Sequence, residues 1–195
     1  MPADDGGRKC DDYVAMIELA DSVQPDALTT YTIQPIGRRH IPGFQAALDS
    51  VAREGAFLAI LAAPSLTRTR RVVLDSLEEG AVHVVALAGE QVVGWCDLRP
   101  KSAATLKHSA VLGMGVLRAH RRQGLGARML GMALEMAGEH GIRRAELVVR
   151  VDNVAALKLY RRFGFQVEGT LRQYMLVDGV FHDALLMARL DRGPS

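Results

Sequence analysis

The sequence predicts one α/β (α+β) domain. Its core would be a mixed, largely antiparallel sheet of about seven strands, flanked by about four helices. Three observations point there. Short apolar runs with a period of two alternate with longer amphipathic runs with a period near 3.6. Hairpin signals stand at both ends, around Gly89 and around Asp178-Gly179. Between them the order is strand, helix, strand, helix, which a purely antiparallel sheet does not need.

The elements follow in order. Residues 1–28 are expected to form a partly loose extension, with helical turns at YVAMIELADSV, and residues 29–191 the domain. TTYTIQPIG alternates like a short strand and stops at Pro35 and Gly37. IPGFQAALDSVAREG reads as a helix through Phe44, Ala47, Leu48 and Val51, closed by Gly55. FLAILAA fits a strand or a buried helix segment. SLTRTRRVVLDSLEEG reads as a second helix, with Leu66, Val73 and Leu77 on one side. AVHVVALAGEQVVGWCDL is a hairpin turning at Gly89, and SAVLGMGVL is a further strand. GLGARMLGMALEMAGEHG is an amphipathic helix ending at His140 and Gly141. IRRAELVVRV is a β-branched strand, and DNVAALKLYRRFGF a helix capped by Asp152 or Asn153 and stopped by Gly164. The last apolar stretch forms a hairpin at Asp178-Gly179.

Composition excludes several classes. The formal charge of +2 is too small to argue for a nucleic-acid or membrane partner. No apolar run approaches the roughly 20 residues that cross a bilayer. The acidic, polar start lacks the order of a secretory signal. Cys10 and Cys96 make neither a disulfide framework nor a metal site, so a reducing cytoplasm and no metal are expected. Aromatic residues at 5% offer few platforms for single-stranded RNA.

The stretch RAHRRQGLGARML, Arg118 to Leu130, carries chemistry. A helix starts at or after Gly124, so unpaired N–H groups and the positive end of the helix dipole gather there. Glycines let a ligand approach the backbone, and arginines add charge. The combination suits phosphate or pyrophosphate. A Walker A run is absent. A dinucleotide fingerprint would need glycine where Met129 stands, and AHRRQ separates the strand from Gly124. A solvated basic helix start is the bland alternative.

Arg121, Gly124 and Gly126 fill the pattern Q/R-x-x-G-x-G/A, and this stretch resembles motif A of the GNAT N-acetyltransferases. LVVRVDNVAALKLYRRFGF resembles the following strand, asparagine and A-x-x-L-Y-x-x-x-G-F helix of that family. VEGTLRQYMLVDGVFHDALLMARL resembles the closing hairpin of its amino-acid and protein-N-terminus branches. The resemblance spans about residues 30 to 190.

The resemblance implies a sheet with splayed central strands, acetyl-CoA as cosubstrate and direct attack by an amine in a ternary complex. Met114, Gly115 and Val116 would pair with the pantetheine arm, and the Val116 N–H would polarise the thioester carbonyl. Arg121, Arg122, Gln123, Gly124, Leu125, Gly126 and Ala127 would wrap the pyrophosphate. Asn153 and Ala156 would meet the pantetheine arm, though Asn153 also suits a plain N-cap. Tyr160 would protonate the departing thiolate, against a merely packed aromatic.

The base is the gap, because Val148 stands where one branch has a glutamate. Glu146, His108 and Asp97 are substitutes, each with a structural alternative. Cys96 as an acyl carrier is the last option, against an inert buried cysteine. The expected acceptor is a small amine or amino acid. A protein N-terminus and a non-catalytic CoA sensor are the competing readings. A homodimer is in keeping with the family.

Overall fold

The computed structural model describes residues 29–191. The extension read at 1–28 and its helical turns lie outside the described residues. The seven strands form one sheet in the order β1-β2-β3-β4-β5-β7-β6. They are β1 (Tyr31–Pro35), β2 (Val82–Ala88), β3 (Gln91–Pro100), β4 (Ser109–Val116), β5 (Arg144–Arg150), β6 (Gln166–Val177) and β7 (Val180–Leu190). All neighbours are antiparallel except β4 and β5. The helices are α1 (Ile41–Arg53), α2 (Leu66–Glu78), α3 (Leu125–Glu139) and α4 (Val154–Arg162).

β2 and β3 are buried along nearly their whole length, so both faces of the sheet are covered there. Phe44 of α1 meets Trp95 edge-on at 5.6 Å on one face. Cys96 and Gly94 alternate with Trp95 and so face the other way, where Met129 of α3 reaches Gly94. α4 lies beside α3, since Gly126 packs on Leu159 and Gly131 on Phe163. The molecule is thus a three-layer arrangement: α1 and α2, the sheet, then α3 and α4.

Local signals explain most boundaries. Ser65 caps α2 by accepting from the Arg68 N–H at 3.4 Å. Asp178 and Gly179 both have positive φ, 48° and 77°, as a type I′ hairpin turn requires. Two readings are corrected. FLAILAA, residues 57–63, is neither strand nor helix but a run of bends, with Phe57, Ile60 and Leu61 exposed. Gly55, with φ at 62°, ends α1, and Ser65 starts α2. The chain between must cross from one helix to the other. Asp49 pins that crossing by accepting from the Ala63 N–H at 2.8 Å. Leu66 is also exposed, because it begins the first turn of α2, while Val73 and Leu77 face the core.

Candidate active site

The sheet splits at its centre. β4 pairs with β5 only through Ser109, Ala110 and Val111, opposite Arg144, Ala145 and Glu146. Beyond Val111, β4 stays with β3 as far as Val116, and β5 stays with β7 as far as Arg150. The facing edges of β4 and β5 therefore have no strand partner past that point. Such an edge offers N–H and C=O groups to an extended ligand. Met114, Gly115 and Val116 lie on it.

The two glycines of GMG have a packing cause. A Cβ on Gly115 would stand 2.3 Å from the Trp95 ring, and one on Gly113 2.9 Å from an Asp97 carboxylate oxygen. Trp95 and Asp97 thus occupy the space over the β4 backbone, on the α1 side.

The split opens toward the start of α3. Gly124 adopts φ of 74°, and Arg122 adopts 64°, an uncommon conformation for a residue with a side chain. The first helical bond there runs from the Arg128 N–H to the Gly124 carbonyl at 3.1 Å. The N–H groups of Leu125, Gly126 and Ala127 stand ahead of it, without helical partners. Arg122 and Gln123 are exposed beside them.

Arg121 turns elsewhere. Its Nη1 donates to Glu54 Oε2 at 2.8 Å, its Nη2 donates to Glu54 Oε1, and its Nε donates to the Val116 carbonyl at 2.9 Å. The guanidinium also stands 5.0 Å over the Phe57 ring. This side chain ties the loop to β4 and to the end of α1.

Asn153 caps α4. Its Oδ1 accepts from the Ala156 N–H at 3.2 Å, leaving the amide nitrogen free to donate elsewhere. Tyr160 is buried against Phe165, and its hydroxyl makes no hydrogen bond to the described residues. Burial, reinforced by the nearby Cys96, raises its pKa well above the ordinary phenol value. The hydroxyl keeps its proton at neutral pH.

Glu146 stands in the last pair before the split, and His108 lies beyond the opposite end of β4. Glu146 opposes Val111, three residues or about 10 Å of strand before Met114. Lys101 at 2.6 Å and Arg144 at 3.3 Å hold its carboxylate. His108 precedes β4 at the far end, about 20 Å of strand from Met114, with its ring exposed. Its carbonyl accepts from the Arg143 and Arg144 N–H groups at 2.8 and 3.0 Å. Val148 is exposed, and the thiol of buried Cys96 is pushed well above its usual pKa by burial. A thiol in that state is a poor nucleophile.

Asp97 is placed differently. A cavity of about 330 Å³ lies between the sheet and the helices α1 and α2. Phe44, Leu48 and Val73 form its apolar wall, and His83, Asp97 and Arg99 line its sheet side. Gly113 and Met114 line the end nearest the split. Burial pushes Asp97 up to about 6, even though Arg99, at 2.9 Å, favours the charged form. His83, opposite Asp97 in the register, is lowered to about 3 by burial, then by Arg99. Its Nε2 has no hydrogen-bond partner among the described residues. His83, Arg99 and Glu54 escaped the reading of the sequence. A lone polar residue in the apolar run VHVVALA was the available signal for the first.

The comparisons agree with this geometry. Residues 54–165 match the model of the acetyltransferase (GNAT) family. The chain belongs to the GNAT acetyltransferase family. An L-amino acid N-acetyltransferase of Escherichia coli K12, AaaT, is 32% identical over 57% of this chain and 69% of its own. The N-alpha-acetyltransferase RimI of Mycobacterium tuberculosis is 36% identical over 58% of this chain and 68% of its own. The fold matches a phosphinothricin acetyltransferase of Sinorhizobium meliloti, solved with acetyl-CoA, at a TM-score of 0.79. That pair is 18% identical and covers 84% of this chain and 90% of the other.

As a GNAT acetyltransferase, the protein is an enzyme that moves an acetyl group from acetyl-CoA to an amine nitrogen. The free β4 edge and the open N–H groups at the start of α3 suit that cosubstrate. Among the described residues no cluster of His, Cys, Asp or Glu is arranged to hold a metal, and no helix is long and apolar enough to cross a membrane.

Proposed function

We propose that this enzyme acetylates the primary amine of a small molecule or amino acid by direct attack within a ternary complex. The observation that carries the reading is the split between β4 and β5. It leads straight to the start of α3 on one side and to the small cavity on the other. Met114, Gly115 and Val116 pair with the pantetheine arm, and the Val116 N–H polarises the thioester carbonyl. The backbone from Arg121 to Ala127 receives the pyrophosphate, with Arg122 supplying the exposed charge and Arg121 holding the loop in place. Asn153 donates its amide nitrogen to the arm, and Ala156 lines it. Tyr160 protonates the departing sulfur, a role that suits a buried hydroxyl with its proton retained and no protein partner.

Acceptor size favours a small molecule over a protein N-terminus. The cavity lies at the low end of the range for ligand pockets, roughly 300–1,000 Å³, and holds about one amino acid. One relative is named for L-amino acids and another for N-alpha positions, so both acceptor classes enter the test. A homodimer in the cytoplasm completes the proposal. Tyr174, Leu176, Val180 and Phe181 stand exposed around the β6–β7 turn and suit a contact between two copies.

The test is release of free CoA thiol with a panel of L-amino acids, simple amines and short peptides. Turnover with a small amine is expected, and Tyr160→Phe should lower kcat about 100-fold while leaving the KM for acetyl-CoA near its original value. Tight acetyl-CoA binding with no turnover on any acceptor would leave a CoA-binding sensor instead.

A further inference from the structure

The cavity under α1 and α2 holds opposite charges in an apolar shell. Phe44, Leu48 and Val73 present carbon. Asp97 and Arg99 stand two residues apart on β3, hence on one face, and both line the cavity. The Arg99 Nε occupies one Asp97 oxygen at 2.9 Å. The Arg99 guanidinium makes no ion pair or hydrogen bond with any other described residue. The pair is therefore a carboxylate beside a guanidinium with N–H donors to spare, and a hydrocarbon pocket lies next to them. A free apolar α-amino acid carries the complement: an ammonium, a carboxylate and a hydrocarbon side chain.

Resting on the acetyltransferase reading above, we infer that this cavity binds a free apolar α-amino acid. Arg99 takes its carboxylate, the Phe44–Leu48–Val73 wall takes its side chain, and Asp97 binds its ammonium and accepts the proton.

The arrangement places the two proton-handling groups on opposite faces of the split sheet. Asp97 lies over Gly113 on the α1 side. Tyr160 belongs to α4 on the α3 side, near Cys96. The ammonium gives one proton to the Asp97 carboxylate. The neutral nitrogen then bonds to the acetyl carbon, and the carbon–sulfur bond breaks. The sulfur leaves with the Tyr160 hydroxyl proton. The second proton on nitrogen restores that hydroxyl, and Asp97 returns its proton to solvent.

Two groups face Asp97 with charge or the capacity to titrate: Arg99 on its own strand and His83 across on β2. α1, α2 and β4 present Phe44, Val73 and Gly113 there, and Cys96 points to the opposite face.

The experiment compares L-leucine, L-leucinamide, isoamylamine and the dipeptide Leu-Gly as acceptors at saturating acetyl-CoA. L-Leucine should exceed the other three at least tenfold in kcat/KM. Arg99→Gln should lower kcat/KM for L-leucine at least tenfold more than for L-leucinamide, so that the preference collapses. Asp97→Asn should lower L-leucine and L-leucinamide alike, by about 100-fold, and remove the acidic limb of the kcat/KM profile. Both variants should keep the thermal shift given by acetyl-CoA, which shows that they fold and bind the cosubstrate. Equal rates for L-leucine and L-leucinamide in the unaltered enzyme would overturn the inference. So would a faster reaction with Leu-Gly, or an Asp97→Asn profile that matches the original. An unaltered enzyme with no acetyl-CoA shift would overturn the acetyltransferase reading beneath it.

Discussion

Asp97 and His83 face each other across β3 and β2, and burial drives both toward their neutral forms. The consequences for stability have opposite signs. Asp97 has a folded pKa of about 6, above its unfolded value. Its contribution is full below about pH 4 and is lost as pH rises through 6. His83 has a folded pKa of about 3, below its unfolded value. Its contribution is full above about pH 6.5 and is lost as pH falls toward 3. Between pH 4 and 6 the two oppose each other. Asp97→Asn removes one of them. The difference in unfolding free energy, original minus variant, should therefore fall by roughly 2 kcal/mol between pH 4 and 6. Urea titrations at half-unit intervals measure it. A constant difference would mean that the Asp97 proton is bound equally in both states.

At the scale of elements, the start of α3 is the most informative segment. Gly124 has open space around its missing Cβ, so a side chain there would meet no protein atom. Its φ of 74° is the constraint. Gly124→Val should destabilise the fold by about 1–2 kcal/mol through backbone strain alone. In the proposed complex the same side chain would project into the ground where the pyrophosphate meets the N–H groups. The KM for acetyl-CoA should rise tenfold or more with kcat little changed. An unchanged KM would show that the ligand does not come close to Gly124.

This element was legible in the sequence because its chemistry is local. Glycine spacing, cap and helix period sit within one short stretch. Arg121 was half legible. Its place in the loop follows from the motif, but its bond to Glu54 joins positions 67 residues apart. FLAILAA misled because its apolar content matches a core strand. The requirement to cross between two helix ends overrode that preference.

At the scale of the whole molecule, the exposed apolar residues of the β6–β7 hairpin bear on assembly. Phe181 and Leu176 are 57% and 58% exposed. If two copies meet there, light scattering should give twice the mass of the 195-residue chain, and Phe181→Asp should return the monomer. A monomer before substitution would remove the dimer from the proposal.

The split sheet also belongs to this scale. β4 and β5 each keep an outer partner while losing each other, and no local pattern encodes that loss. By itself the sequence determined the order of strands and helices, the hairpin turns and the glycine loop that starts α3, because periodicity, caps and positive-φ residues act within a few neighbours. It also pointed to the family through motifs spread along the chain. Only the tertiary structure decided that Glu146 stands in the last pair before the split, held by Lys101 and Arg144, and that His108 stands at the far end of β4. It alone brought Asp97, His83 and Arg99 into one cavity under α1 and α2. Burial and register depend on elements distant in the chain, and they set which carboxylate meets the cavity and in what charge state.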